Sequence, residues 1–512
     1  MTTALTRETS TAASSADRTV ERQVGGLRAA IQALQVGLSI SRGVLPRALN
    51  TNLREFRIGM RRFVVARHPE VVEYILVRNR LNYVKSTEYE PIRGAAGVNL
   101  LTDEGESWAL HRQVLNPMFA KRHLNQLIGL MVDPIEDMVT TRAAQSGYLT
   151  FDMHEEMVQM TLRVVANSLF SQDFGAVVEH MHDMVTRGMR ITEVLLRLGL
   201  VGALPRPMWR LLIATAYSRL PTPPPFAEIQ EIAQGLDKAV NDIVDDRIAN
   251  PTRSPDLLNM LLHAEEGTWP RQRVRDEALT FMLAGHETTA NALSWFWYLM
   301  AINPEARDRM LDEIDTVLKG RRVDLDALSN LPWTTACVQE SQRYFSAVPM
   351  IVRTALEDDE IDGHRVRKGT NVFIPIHAIH HDEYFWENPE EFNPRRFLPG
   401  APRFHRFAYL PFGGGRRVCI GQSFALMEMV AIAAAMSQRF VFDIAPGHPV
   451  EPAQSLTLRP LHGLWMVAKR RPPVEMIPDA AVATPACSKS ADAEPAILVA
   501  GCPVHDREEK SR

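Results

Sequence analysis

From Trp108 to Leu262 apolar residues recur three and four apart, which predicts a largely helical stretch. Ahead of it, Phe56 to Ala66 reads as a short hairpin about Gly59, and Phe63, Val64 and Val65 give it strand character. From Pro69 the spacing of Val71, Val72, Ile75 and Leu76 turns helical. Arg271 to Asn303 reads as one helix of about 50 Å at ~1.5 Å per residue, stopped by Pro304. A further helix is expected from Asp326 to Phe345. Strand signals then take over from Ile351 to Ile376, punctuated by Asp362-Gly363 and Lys368-Gly369. A Gly-rich loop at Phe412 to Gly421, a helix at Gln422 to Gln438 and an apolar strand at Leu464 to Ala468 complete a helix-rich chain with a minor sheet region.

Two apolar stretches need separate treatment. Ala278 to Ile302 is long enough to span a bilayer, but Gly285, His286, Glu287, Thr288, Thr289 and Asn291 interrupt it. Ionisable groups at bilayer depth are costly, so a helix buried in a protein core is expected instead. Leu204 to Phe226 combines six prolines, Pro205 to Pro225, with Met208, Trp209, Leu211, Leu212 and Ile213. It reads as a loop packed on a neighbour, with a mobile cover or entrance as the second reading.

Composition narrows the class. The chain of 512 residues carries 57 Lys+Arg against 61 Asp+Glu, a net charge of −4, and is 46% hydrophobic, which excludes a disordered chain and a fibre. That balance argues against nucleic acid as the partner. Cys337, Cys419, Cys487 and Cys502 are too few for a disulfide framework, and Cys502-Pro503-Val504-His505 is taken as an accidental motif. Met1 to Val20 lacks an apolar h-region, and Ala29 to Ile40 is too short and polar to cross a membrane. The expected organisation is a flexible tail with a surface helix over 1–45, one domain over 46–472, and a disordered tail over 473–512.

The candidate chemistry centres on Phe412-Gly413-Gly414-Gly415-Arg416-Arg417-Val418-Cys419-Ile420-Gly421. The glycines let the backbone turn tightly and approach something flat. Cys419 precedes a predicted helix, whose N-terminal amides favour thiolate over thiol, as does Arg417. A phosphate loop would want Lys-Ser/Thr here, a zinc site a second nearby cysteine, and covalent haem attachment a C-x-x-C-H run; all are absent. From the loop alone, structural, nucleophilic and metal-ligand readings stand on comparable footing.

The order F-x-x-G-x-R-x-C-x-G, met by Phe412, Gly415, Arg417, Cys419 and Gly421, resembles the haem-binding signature of the cytochrome P-450 superfamily. Ala284-Gly285-His286-Glu287-Thr288-Thr289 resembles that family's distal oxygen-activation motif; its overlap with H-E-x-x-H fails at Ala290. A local widening of the helix at Gly285 is expected. Glu340 and Arg343 resemble the E-x-x-R helix, and Pro394-Arg395-Arg396-Phe397 the P-x-R-F meander. Trp108 and Arg112 resemble the W-x-x-x-R helix.

The resemblance implies a triangular helix-rich domain enclosing a non-covalent haem b with Cys419 as axial thiolate. Trp108, His111, Arg112, Arg353, Ala284 and Gly285 would contact the haem, arginines suiting its propionates. Glu340, Arg343 and Arg396 would form the network that holds the cysteine loop, and Glu287 and Thr288 would handle protons. His377, His380 and His381 are read as structural. The implied activity is a monooxygenase that inserts one oxygen atom from O2 into a C–H bond. Electrons would come from a separate ferredoxin- or flavodoxin-type donor docking near Lys121, Arg122, Arg403, Arg406 and Arg416, since no flavin or iron–sulfur signature is present.

The segments around Trp108 and Thr457 to Gly463 look like the fatty-acid hydroxylase branch. An apolar, lipid-like substrate is expected, with Ile92, Val98, Val348 and Met350 as pocket walls. The chain is expected to be a cytoplasmic monomer, with peripheral membrane contact as an accessory expectation. The rival classes are a haem-thiolate sensor without turnover and a haem-free cysteine-nucleophile enzyme.

Overall fold

A computed structural model describes residues 53–58, 61–86, 89–147, 149–171, 226–254, 256–263, 269–454 and 456–472, with a few isolated positions between 183 and 215. Both predicted tails, the Gly59 turn and almost all of the Pro-rich stretch lie outside these residues.

The strands are β1 (Leu53–Ile58), β2 (Arg61–Ala66), β3 (Tyr83–Lys85), β4 (Leu149–Asp152), β5 (Ile351–Ala355), β6 (Asp359–Ile361), β7 (His364–Val366), β8 (Asn371–Ile374), β9 (Phe440–Ile444), β10 (Pro452–Gln454), β11 (Leu458–Pro460) and β12 (Trp465–Arg470). The longer helices are α1 (Gly105–Leu115), α2 (Lys121–Ala144), α3 (Met153–Phe170), α4 (Phe226–Ala249), α5 (Arg271–Ile302), α6 (Pro304–Leu318), α7 (Pro332–Tyr344) and α8 (Gln422–Ser437). The class is mainly helical with minor sheets, as the apolar spacing predicted.

The largest sheet has order β1-β2-β8-β5-β3, with β2 and β8 parallel and the other pairs antiparallel. A second sheet runs β4-β12-β9, and β10 and β11 form a two-stranded hairpin. Two apolar clusters carry the packing. The larger joins α2, α3, α5 and α8 through residues such as Met131, Val165, Phe296, Trp297 and Ile432. The smaller lies under the first sheet and includes Val64, Ile75, Val372, Phe407 and Leu410, the last two just ahead of the cysteine loop.

α5 is the central element. From Ala290 to Trp297 every side chain is buried, which is why the sequence reads as apolar all round. α7 differs from expectation. The predicted helix Asp326 to Phe345 is split into Leu325–Ser329 and α7, because Pro332 lacks an N–H to continue a helix and is suited to begin one. That restart sets the rotation of α7 and points Glu340 and Arg343 into the interior.

Candidate functional site

The cysteine loop is pinned from several sides. Cys419 N–H donates to Phe412 O at 2.9 Å, and Gly413 N–H to Leu410 O at 2.9 Å. Gly415 takes φ +68°, and a Cβ there would stand 2.2 Å from the Leu76 carbonyl oxygen, so only glycine fits both conformation and space. Cys419 keeps accessible surface although its sulfur lies deep in the fold. Burial pushes the thiol pKa up, while the Gly421 N–H and the Arg112 charge act the other way. α8 starts immediately afterwards, at Gln422, so the sulfur sits at a helix N-terminus.

Behind the loop lies a fully buried ion pair. Arg343 donates to both Glu340 oxygens, Nε to Oε2 at 2.7 Å and Nη2 to Oε1 at 2.9 Å. Asn393 N–H adds a bond to Glu340 Oε1 at 2.8 Å, and Arg396 Nε lies 3.5 Å from the same oxygen. Arg343 Nη1 donates to His380 O at 2.7 Å. His380 Nε2 accepts the Leu410 N–H at 2.8 Å, which fixes the tautomer, so Nδ1–H donates to Arg343 O at 3.0 Å. A continuous line of bonds therefore runs from Glu340 through Arg343, His380, Leu410 and Phe412 to the cysteine backbone. His380 is structural, as expected from sequence, and is also the connecting link, which no sequence signal revealed.

In front of the loop, cations crowd together. Arg417 stacks on Trp108, its guanidinium carbon 3.9 Å from the ring centre, and bonds Glu104 and Asp103 O. Its Nη1 is buried without a hydrogen-bond partner among the described residues. Arg112 Nη1 donates to Val418 O at 2.9 Å. Arg353 is buried on β5, and its direct cross-strand neighbour on β3 is Lys85, also buried. Like charges facing each other in a sheet are destabilising. Burial, then the nearby Arg353 and Arg417 charges, depress the Lys85 pKa well below its ordinary value. Burial also lowers Arg417 to about 10. Lys85 was missed in the sequence; only the β3–β5 register brings it to Arg353. His111 Nδ1 lies 2.8 Å from Glu277 Oε1, with both side chains fully buried, and its ring lies beside Trp269.

The middle of α5 is sparser. Thr288 Oγ1 donates to Ala284 O at 2.8 Å and Thr289 Oγ1 to Gly285 O at 2.9 Å, each one turn back along the helix. Glu287 Oε1 accepts from Thr457 Oγ1 at 2.8 Å. Ala284 is exposed although its helix crosses the core, so this stretch fronts accessible space as Cys419 does. α5 is continuous through Gly285, without the local widening expected there. The glycine serves packing: a Cβ would come 2.9 Å from Val165 Cγ2, so its absence lets α3 lie close against α5.

The family model for Cytochrome P450 matches residues 51–467 of this chain. The chain belongs to the cytochrome P450 family. A Mycobacterium tuberculosis protein carrying the family name cytochrome P450 132 is 59% identical over 440 residues, covering 86% of this chain and 95% of the relative. Carotene epsilon-monooxygenase of Arabidopsis thaliana is 28% identical, covering 81% of this chain and 78% of its own. The crystal structure of the cytochrome P450DA heme domain superposes with a TM-score of 0.72 at 25% identity, over 87% of this chain and 94% of that one. The chain is thus a P450 monooxygenase, an oxidoreductase of a class that works with haem, a cysteine thiolate, O2 and a reductant.

The residues present fit such a group. Arg112, Arg353 and Arg417, with the buried Lys85 amine opposite Arg353, bring together the donors that a site for two propionates requires. Of the expected pocket walls, Ile92, Val348 and Met350 are half-buried and Val98 is exposed. Of the expected donor contacts, Lys121, Arg122 and Arg403 are exposed. Arg406 is paired with Glu73 at 2.7 Å, and Arg416 lies over Trp108 at 5.8 Å. Among the described residues no helix is long and apolar enough to cross a membrane.

Proposed function

We propose that Cys419 ligates a non-covalent haem b and that the chain hydroxylates an apolar, lipid-like substrate: RH + O2 + 2e⁻ + 2H⁺ → ROH + H2O. The observation that carries this is a cysteine that keeps accessible surface, just ahead of a helix N-terminus and beside a cluster of buried basic side chains. When bound, the haem supplies the binding and reductive activation of dioxygen. The protein does the rest. Arg112, Arg353, Arg417 and Lys85 would hold the propionates, and Trp108 braces Arg417. The Gly421 N–H donates toward the sulfur and moderates its electron donation. Phe412, Gly415 and Gly421 would let the loop lie close to a flat group, and Ala284 and Gly285 would contact that group from α5. Thr288, its own hydrogen committed to Ala284 O, offers an oxygen that can accept a hydrogen bond, and Glu287 holds and releases the protons.

The wall positions Ile92, Val98, Val348 and Met350 are apolar, in keeping with such a substrate. The name of the carotene-oxidising relative points to the same substrate class. A ferredoxin- or flavodoxin-type donor would meet Lys121, Arg122 and Arg403. Lys121 lies two residues beyond Phe119, and Phe119 is close enough to Gly421 to contact a Cβ placed there. The one catalytic domain is assigned to 46–472, in a cytoplasmic monomer.

Replacing Cys419→Ser tests the core of this reading. Purified protein should lose the thiolate character of its carbon-monoxide difference spectrum and its hydroxylation. A variant spectrum identical to the parent's overturns the assignment. Charge reversal at Lys121 and Arg122 should slow donor-driven reduction and weaken its salt dependence; unchanged rates would remove the docking face.

A further inference from the structure

Glu287 is held by a distant element. Thr457, its hydroxyl partner at 2.8 Å, is buried in the turn between β10 and β11. The same hairpin is fastened to α5 again two turns on, where Trp295 Nε1 donates to Leu458 O at 2.9 Å. Leu458 N–H in turn donates to Ala347 O at 2.9 Å, the residue before the wall position Val348. Glu287 and Trp295 are eight residues apart, about 12 Å along the helix. Asn291 lies between them on that side of α5. It is fully buried, and its amide has no hydrogen-bond partner among the described residues. The seam between α5 and the hairpin is therefore polar at Glu287, Asn291 and Thr457, and it abuts the segment that forms the pocket wall.

We infer that Thr457 is a positioning residue for proton delivery: its hydroxyl orients the Glu287 carboxylate, and through it the β10–β11 hairpin governs how tightly dioxygen reduction is coupled to oxygen insertion. This rests on the reading of Glu287 as the proton-delivering acid. Two electrons from the ferredoxin-type donor and two protons can leave with dioxygen as hydrogen peroxide, O2 + 2e⁻ + 2H⁺ → H2O2. With well-placed protons the O–O bond is cleaved instead. In the absence of substrate that route needs four electrons and four protons, O2 + 4e⁻ + 4H⁺ → 2H2O. The hydrogen bond donated by Thr457 to Oε1 holds the Glu287 carboxylate in one orientation. The adjacent Asn291 amide has unused capacity to hold a bridging water there.

The test uses haem-loaded full-length protein driven by a ferredoxin–ferredoxin reductase pair and NADPH, without added substrate. Peroxide formed per NADPH should at least double in Thr457→Val, with a shifted pH midpoint and an unchanged haem absorption spectrum. Thr457→Ser should restore the parent values. Hydrogen exchange gives a readout independent of turnover: the Leu458 amide should exchange faster in Thr457→Val, while α8 amides stay as they were. Should Thr457→Val fail to load haem, Thr457→Ala takes its place. An unchanged peroxide share in the Thr457 variants, with a raised one in Glu287→Gln, overturns this inference alone. A Glu287→Gln variant with the parent's peroxide share and pH profile overturns the proton-delivery reading and this inference with it.

Discussion

Behind Cys419 polar groups are tied to one another and to backbone: Glu340 meets Arg343, Asn393 and Arg396, and His380 uses both ring nitrogens. In front, along the middle of α5, the hydroxyls of Thr288 and Thr289 bond one turn back, Glu428 of α8 lies against Thr289, and Glu287 leans on a hairpin turn. The first arrangement suits a part that must not move, since a loop presenting a ligand loses affinity if it wanders. The second leaves hydroxyl and carboxyl oxygens able to exchange partners, which proton movement requires. Cost follows the same division. A buried ion network collapses when one member is removed, whereas helix-bonded hydroxyls can be lost singly.

Substitutions can break that contrast, the largest effect coming from the rear. Glu340→Ala leaves Arg343 buried without its carboxylate, and a loss of about 3–5 kcal/mol is expected in chemical denaturation, with poor haem retention. A loss under about 1 kcal/mol would show the network to be dispensable. Next, Gly285→Ala presses a methyl group against Val165, with an expected cost of about 1–3 kcal/mol. Combining it with Val165→Ala should recover most of that loss, which a double-mutant cycle would read.

A smaller effect is graded with pH. His377 is lowered to about 3 and His380 lies well below its usual value, in both cases mainly through burial. Histidines buried neutral take up protons only on unfolding, so their contribution is fully present above about pH 6.5 and is lost as the pH falls from there toward 3. The slope is about 1.4 kcal/mol per pH unit for each. His377→Gln should flatten the stability profile below pH 6.5 by one such histidine. The smallest expected effect sharpens the front of the site. Lys85→Met removes a buried amine whose charged form burial and Arg353 disfavour, so the haem-free chain should gain up to about 1 kcal/mol. Haem should dissociate faster from the same variant. A change of the same sign in both measurements would remove Lys85 from the propionate site.

Much of the site was legible in the chain because spacing carries it. The cysteine loop is local: ten consecutive residues hold its glycines, its arginine and its sulfur. The helical period places Trp108 with Arg112 and Glu340 with Arg343. The helix-rich class followed from the same apolar periodicity, and the burial of α5 from an apolar run broken by groups too costly for a bilayer. Where expectation and structure part, a contact between distant segments is responsible. Gly285 reads as a point where α5 widens until Val165 of α3 is seen against it. The partner of His111, Glu277 of α5, shows only in the packed chain. The pairing of Arg406 with Glu73 likewise shows only in the fold.

By itself the sequence determined which residues could do the chemistry and which helical faces they share, because those relations repeat within a few residues of backbone. Only the tertiary structure decided what those residues touch. Lys85 meets Arg353 across some 270 positions of chain, His380 joins Arg343 to Leu410, and Thr457 reaches Glu287. Such partnerships arise from strand register and helix packing, and no local pattern records them, because the free energy that selects them belongs to the whole packed interior.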